Sequence, residues 1–259
     1  MNFSRCLLVL GVLACSSSTN LAQSAKTAAG YQTVEFPAGD GLPITADLYQ
    51  GASGPQAPMI VLCHQAGWSR GEYRETAPRL VEMGFNCLAI DQRSGKQTEG
   101  VSNETAKRAT AAGKPTGFVA AEQDIIAALK YTKQNHAKGK LLLWGSSYSA
   151  SFALRIAGEH PELVDGALAF SPGEYFGRFG QPSDWIARSA TNITDPVFIT
   201  SAKNEGGNWA AIYDAIPGDN KTGFLPTTRG KHGSRALWKR FGDSDAYWAA
   251  VTKFLKPLK

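Results

Sequence analysis

The chain is poor in the residues from which metal sites and disulfide frameworks are built. It carries four cysteines and four histidines in 259 residues, and two of the cysteines, Cys6 and Cys15, fall at its very start. Cys63 and Cys87 sit in the apolar runs Val61-Leu62-Cys63 and Cys87-Leu88-Ala89-Ile90. They read as small buried hydrophobes, with a disulfide as the minority alternative. No His-x-x-x-His or Cys-x-x-Cys spacing occurs, so neither a metal nor another cofactor is expected. Blocks of like charge are missing as well. The formal net charge of +5 comes from scattered basic residues, with no basic stripe interleaved with aromatics. That argues against a nucleic-acid partner. Beyond the first residues no apolar run is long enough to cross a bilayer, so no integral span is expected. Internal repeats are absent too.

What is present begins with an export segment. A short basic start ending at Arg5 leads into the apolar run Leu7 to Leu13, followed by small and polar residues from Cys15. That order marks residues 1–22 as a secretory signal, cut after Asn20-Leu21-Ala22 and before Gln23. Val12-Leu13-Ala14-Cys15 is an alternative cut that resembles a lipoprotein box and would leave a lipid anchor on Cys15. Either way an exported bacterial protein is expected, periplasmic or anchored to the outer membrane. The remainder, 27–259, is long enough for one domain with a sizeable core.

Along that body, short apolar runs alternate with amphipathic stretches. Tyr31 to Phe36 and Pro43 to Tyr49 flank Gly39-Asp40-Gly41, a hairpin pattern. Strands are expected at Met59 to Cys63, Phe85 to Ile90, Leu141 to Trp144, Val164 to Phe170 and Val197 to Ser201. Helices are expected at Gly71 to Met83, Gly117 to Asn135, Ser149 to His160 and Tyr247 to Leu255. Between them Asp91 to Thr116 reads as a long polar loop. The alternation predicts an α/β fold with a mostly parallel sheet, helices on both faces and an antiparallel opening hairpin. Chemistry is then to be sought just beyond the carboxyl ends of the strands.

The sharpest local signal is Leu141-Leu142-Leu143-Trp144-Gly145-Ser146-Ser147-Tyr148-Ser149-Ala150. An apolar strand runs into Gly-x-Ser-x-Ser and then directly into a helix. A serine on such a turn has its hydroxyl pushed out at the top of the sheet, while small flanking residues let backbone and helix pack closely. The residue is Ser147, and the bland alternative is a serine-rich turn without chemistry. The backbone N–H of Tyr148, directly after it, is a natural donor to an oxyanion.

With Cys63-His64-Gln65-Ala66-Gly67, Ala89-Ile90-Asp91-Gln92-Arg93, the turn at Ser147 and Lys231-His232-Gly233, the chain resembles the α/β-hydrolase family. The likeness is to its small esterase and dienelactone-hydrolase-like members, and it extends from about Val34 to Leu255. It implies the α/β-hydrolase fold and the chain order Ser147, Glu205, His232 for nucleophile, acid and base. Glu174 is the rival acid, and Asp91 is set aside because its neighbour Arg93 suggests a structural pair. His64 takes a structural place in the oxyanion loop, where Ala66 is the second expected donor and Gln65 its competitor. His136 and His160 read as solvated. Two departures stand out: dienelactone hydrolases proper use cysteine at the position of Ser147, and Ser149 replaces the usual glycine.

The segment from Phe170 to Val197 is short for a lid domain, so an open site is expected. Trp68, Tyr175, Phe176, Trp185 and Trp209 are either walls of an apolar cleft or ordinary core. The resemblance implies a serine hydrolase that cleaves a small-molecule carboxylic ester through an acyl-enzyme. The alternatives are a peptidase or amidase on the same residues, or a non-enzymatic binding protein on a hydrolase fold.

Overall fold

The computed structural model describes Met1 and residues 30–259. The expected secretory signal, apart from Met1, and Cys15 lie outside the described residues. Strand β1 (Gln32–Pro37) is only partly buried, whereas β2 (Pro43–Tyr49) is buried after its first residue. They pair antiparallel through the predicted turn, where Gly41 takes φ 77°, a conformation open to glycine. β3 (Met59–Cys63), β4 (Asn86–Ile90), β7 (Leu141–Ser146), β8 (Ala167–Phe170) and β9 (Val197–Thr200) are buried at every position. Unbroken apolar strands of this kind require cover on both faces. β10 (Lys221–Phe224) forms the far edge. The eight-stranded sheet runs β1-β2-β4-β3-β7-β8-β9-β10. β2 is antiparallel to β1 and β4, and the other pairs are parallel. A separate ribbon joins β5 (Gln97–Thr98) to β6 (Val101–Ser102).

The period-two alternation of each strand divides its side chains between two cores. Met59, Val61 and Cys63 of β3 face one way, beneath α3 (Glu122–Asn135), α4 (Tyr148–Glu159), α5 (Trp185–Ala190) and α6 (Gly206–Ala215). Ile60 and Leu62 face the other, beneath α1 (Thr76–Glu82) and α7 (Ser244–Leu255). The same alternation decides the cysteine question. Cys63 and Cys87 lie on neighbouring strands but in opposite cores, and both are free and buried.

The polar stretch 91–116 is not one loop. It holds the β5–β6 ribbon and α2 (Glu104–Ala111). Asn103 starts this helix, its side chain accepting from Ala106 N at 2.8 Å. Thr105, Ala106 and Ala109 face inward, while the charged positions between them gave the segment its loop-like composition. The expected helix at 71–83 breaks into a 3-10 turn, Arg70–Tyr73, followed by α1. α5, α6 and β10 had no counterpart in the sequence reading.

Candidate active site

Ser147 leaves the carboxyl end of β7 with φ 58° and ψ −121°, and α4 begins at the next residue. Positive φ on a serine is strained, and the surrounding packing holds it there. The turn depends on Gly145, where an added Cβ would come within 2.0 Å of Ser149 O. Ser149 fits where glycine is usual because its buried hydroxyl has partners. It donates to His64 O at 2.6 Å and accepts from Gln92 Nε2 at 2.5 Å. The unusual residue thus ties the first turn of α4 to the loop after β3.

Two loops from other strands converge on Ser147. His232, in the loop after β10, places Nε2 2.8 Å from Ser147 Oγ and Nδ1 2.8 Å from Glu205 Oε1. A carboxylate on Nδ1 makes that nitrogen the donor and leaves the Nε2 lone pair for the serine hydroxyl. Glu205 lies just beyond β9. Its other oxygen accepts from Ser171 Oγ at 2.8 Å and from Ala202 N at 3.3 Å. Burial pushes the Glu205 carboxyl up, but the hydrogen bonds from His232 and Ser171 outweigh it and hold the group below its ordinary value. Glu174, the rival acid, is elsewhere. It accepts from the N–H groups of Ile186 and Ala187 at 3.0 and 2.8 Å, at the start of α5.

The turn after β3 is pinned through the His64 ring and most of its backbone N–H groups, whereas the buried Gln65 Nε2 has no partner among the described residues. His64 is wholly buried, with Nδ1 2.8 Å from Gln65 O, so Nδ1 donates, and Nε2 accepts from Gln92 N at 3.1 Å. Burial pushes its imidazole down to about 4, which keeps the ring neutral. Gln65 N donates to Glu72 Oε2 at 2.8 Å, and Gly67 N donates to Ser94 O at 3.4 Å. Among the described residues the Ala66 N–H has no recorded acceptor. Tyr148 N belongs to the first turn of α4, where backbone donors have no partner within the helix.

Several expectations need correction. Asp91 does not pair with Arg93. It accepts from Arg70 Nη1 at 2.5 Å, while Arg93 reaches Asp124 at 2.7 Å and Asp40 at 2.9 Å. His136 is half-buried against Tyr131, at 3.2 Å from its hydroxyl, rather than solvated. Of the aromatics left open between cleft wall and core, Phe176 and Trp209 are core, 1% and 7% exposed. Trp68 stacks on Trp238 with ring centroids 5.4 Å apart. Ser171, Ser146 and Glu72 were not singled out from the sequence. They work through loop contacts between distant segments, and no local motif signals them. A cavity of about 850 Å³ opens beside Gly67, Ser94, Ala106 and Phe118, between the β3 turn and α2. Ser147, Glu205 and His232 are not among its walls.

A sequence family described as serine aminopeptidase, S33, matches residues 54–201. That stretch includes Ser147 and ends before Glu205 and His232. No curated protein matches the chain. Solved structures share the fold at low identity. An esterase of Pyrococcus furiosus is 19% identical, with 88% of this chain and 92% of that chain covered and a TM-score of 0.68. A dienelactone hydrolase of Anabaena variabilis is 16% identical, covering 88% and 99%, with a TM-score of 0.66. A thermostable carboxyl esterase of Bacillus coagulans is 13% identical, also covering 88% and 99%, with a TM-score of 0.68.

Proposed function

The chain belongs to the serine aminopeptidase S33 family of α/β hydrolases, and from that premise we propose that it cleaves small-molecule carboxylic esters through an acyl-enzyme on Ser147. The observation that carries this reading is the unbroken chain from Ser147 Oγ through His232 to Glu205, 2.8 Å at each link. His232 Nε2 takes the serine proton as Oγ attacks the ester carbonyl, and Glu205 stabilises the imidazolium that forms. The imidazolium returns the proton to the leaving alkoxide, and water repeats the sequence to release the acid. The oxyanion is met by the N–H groups of Tyr148 and Ala66. Ala66 is favoured over Gln65 because the Gln65 N–H is already spent on Glu72.

An amide or peptide substrate is the second reading, prompted by the family's description. An aminopeptidase needs an acceptor for a free ammonium group. The two carboxylates tied to this site are engaged, Glu205 by His232 and Ser171, Glu72 by Gln65 and Ser146. That favours the ester.

Turnover of p-nitrophenyl esters and matched p-nitroanilides separates the two. Ester hydrolysis is expected to dominate, to persist in the presence of a chelator, and to fall at least about a thousandfold in Ser147→Ala. Faster anilide cleavage would turn the reading towards amides, and an active Ser147→Ala protein would remove it. Export remains part of the proposal. Mass spectrometry of the native protein should find a mature chain starting at Gln23 or a lipidated Cys15, and an intact start at Met1 would contradict it.

A further inference from the structure

Behind the nucleophile turn lies a carboxylate that the acyl-transfer steps leave unused. Glu72, in the 3-10 turn before α1, is wholly buried. Its Oε2 accepts from Gln65 N at 2.8 Å and its Oε1 from Ser146 Oγ at 2.7 Å. Ser146 Oγ in turn accepts from Ser234 N at 2.9 Å, two residues beyond His232. One buried side chain therefore joins three segments: the oxyanion turn, the residue before the nucleophile, and the loop that carries His232. The packing is close, since a Cβ on Gly233 would lie 2.5 Å from Ser146 Oγ. Arg235, in the turn that follows His232, and the imidazolium formed at His232 are the positive charges near Glu72, and the hydroxyl of the adjacent Tyr73 is pushed up by burial and by the Glu72 charge.

We propose that Glu72, in its ionised form, is a positioning residue for acyl transfer. It holds the Gln65–Gly67 turn and the His232 loop against Ser147, and its negative charge favours the imidazolium formed at His232. The proposal rests on the Ser147–Glu205–His232 reading. Both Glu72 oxygens are acceptors in this arrangement. Protonation would put a donor where the Ser146 hydroxyl already donates, and one bond of the network would be lost. Burial pushes the Glu72 carboxyl up to about 7, so this state is within reach of ordinary working pH.

The test is the pH profile of kcat/KM for a p-nitrophenyl ester in the wild type, Glu72→Gln, Ser146→Ala and Ser147→Ala, with circular dichroism to establish folding. Glu72→Gln keeps the shape and removes the charge. Its kcat should fall about ten- to a hundredfold with KM little changed, the loss of one hydrogen bond to a charged group. Its acidic limb should move to lower pH and become shallower, because the carboxyl that titrates there is gone. Ser146→Ala should do the opposite. It removes a hydrogen bond that favours the carboxylate, so the acidic limb should move to higher pH. A purely structural role predicts no such opposed shifts. Limbs that stay put in both variants, or a folded Glu72→Gln protein within twofold of wild type, would overturn the proposal. If Glu72→Gln fails to fold, the direction of the Ser146→Ala shift decides alone. Turnover that survives in Ser147→Ala removes the underlying reading and this proposal with it, whereas its loss beside unmoved limbs removes only the proposal.

Discussion

Glu205 and Glu174 follow neighbouring strands and carry the same functional group, yet the structure puts them to different uses. Glu205 faces an imidazole and Glu174 faces two backbone N–H groups of α5. Glu205→Gln should therefore leave the fold intact and lower kcat by up to about four powers of ten, because an amide no longer fixes the His232 tautomer. Glu174→Gln should leave kcat within about tenfold and cost about 1 kcal/mol of stability, a shift of a few degrees in Tm. Ester kinetics and thermal melts on both variants check this. A crippled Glu174→Gln beside a near-normal Glu205→Gln would reverse the assignment.

At the scale of elements, the strand, turn and helix around Ser147 were legible because each signal was local. An apolar run, a glycine where only glycine fits, and a small residue at position 149 are read from consecutive positions. The function of Ser149 was not legible, since its partners, His64 O and Gln92, come from the ends of β3 and β4. Ser149→Gly, which restores the usual residue, should accordingly destabilise the protein by about 1–2 kcal/mol by stranding buried polar groups. Urea unfolding measures this, and an unchanged or increased stability would show the hydroxyl to be dispensable. α2 escaped the sequence reading for a related reason. Its inward face is small and its outward face is charged, so no apolar stripe betrays it, and the Asn103 cap stood in a run that already looked like loop.

For the molecule as a whole, the sheet brings together residues far apart in the chain: Ser147 after β7, Glu205 after β9 and His232 after β10. Order along the chain and a family resemblance located these three. The structural place of His64 was legible, but Glu72 was hidden, because a carboxylate at position 72 looks in sequence like any solvated glutamate. Both leave a signature in global stability. His64 is pushed down to about 4 from an ordinary 6.5, so the unfolded chain binds more protons in that interval. Its stabilising effect is complete above pH 6.5 and is lost as pH falls towards 4. Glu72 is pushed up from 4.5 to about 7, so its effect has the opposite sign, complete below pH 4.5 and lost as pH rises through 7. Between pH 4.5 and 6.5 the two oppose each other. Glu72→Gln removes the second effect. Its stability relative to wild type should improve between pH 5 and pH 8 by up to about 3 kcal/mol, while its activity falls. Denaturant unfolding at both pH values checks this, and an equal difference at the two would contradict the burial argument.

The central claim is that Ser147 is the nucleophile, and its most direct test is covalent. An organophosphonate ester offered to the purified protein should add once per chain. Peptide mass spectrometry should place the adduct on Ser147, and the rate of labelling should fall sharply in His232→Ala. An adduct on Ser146 or Ser149, or ester turnover that continues undiminished with no adduct at all, would contradict the account.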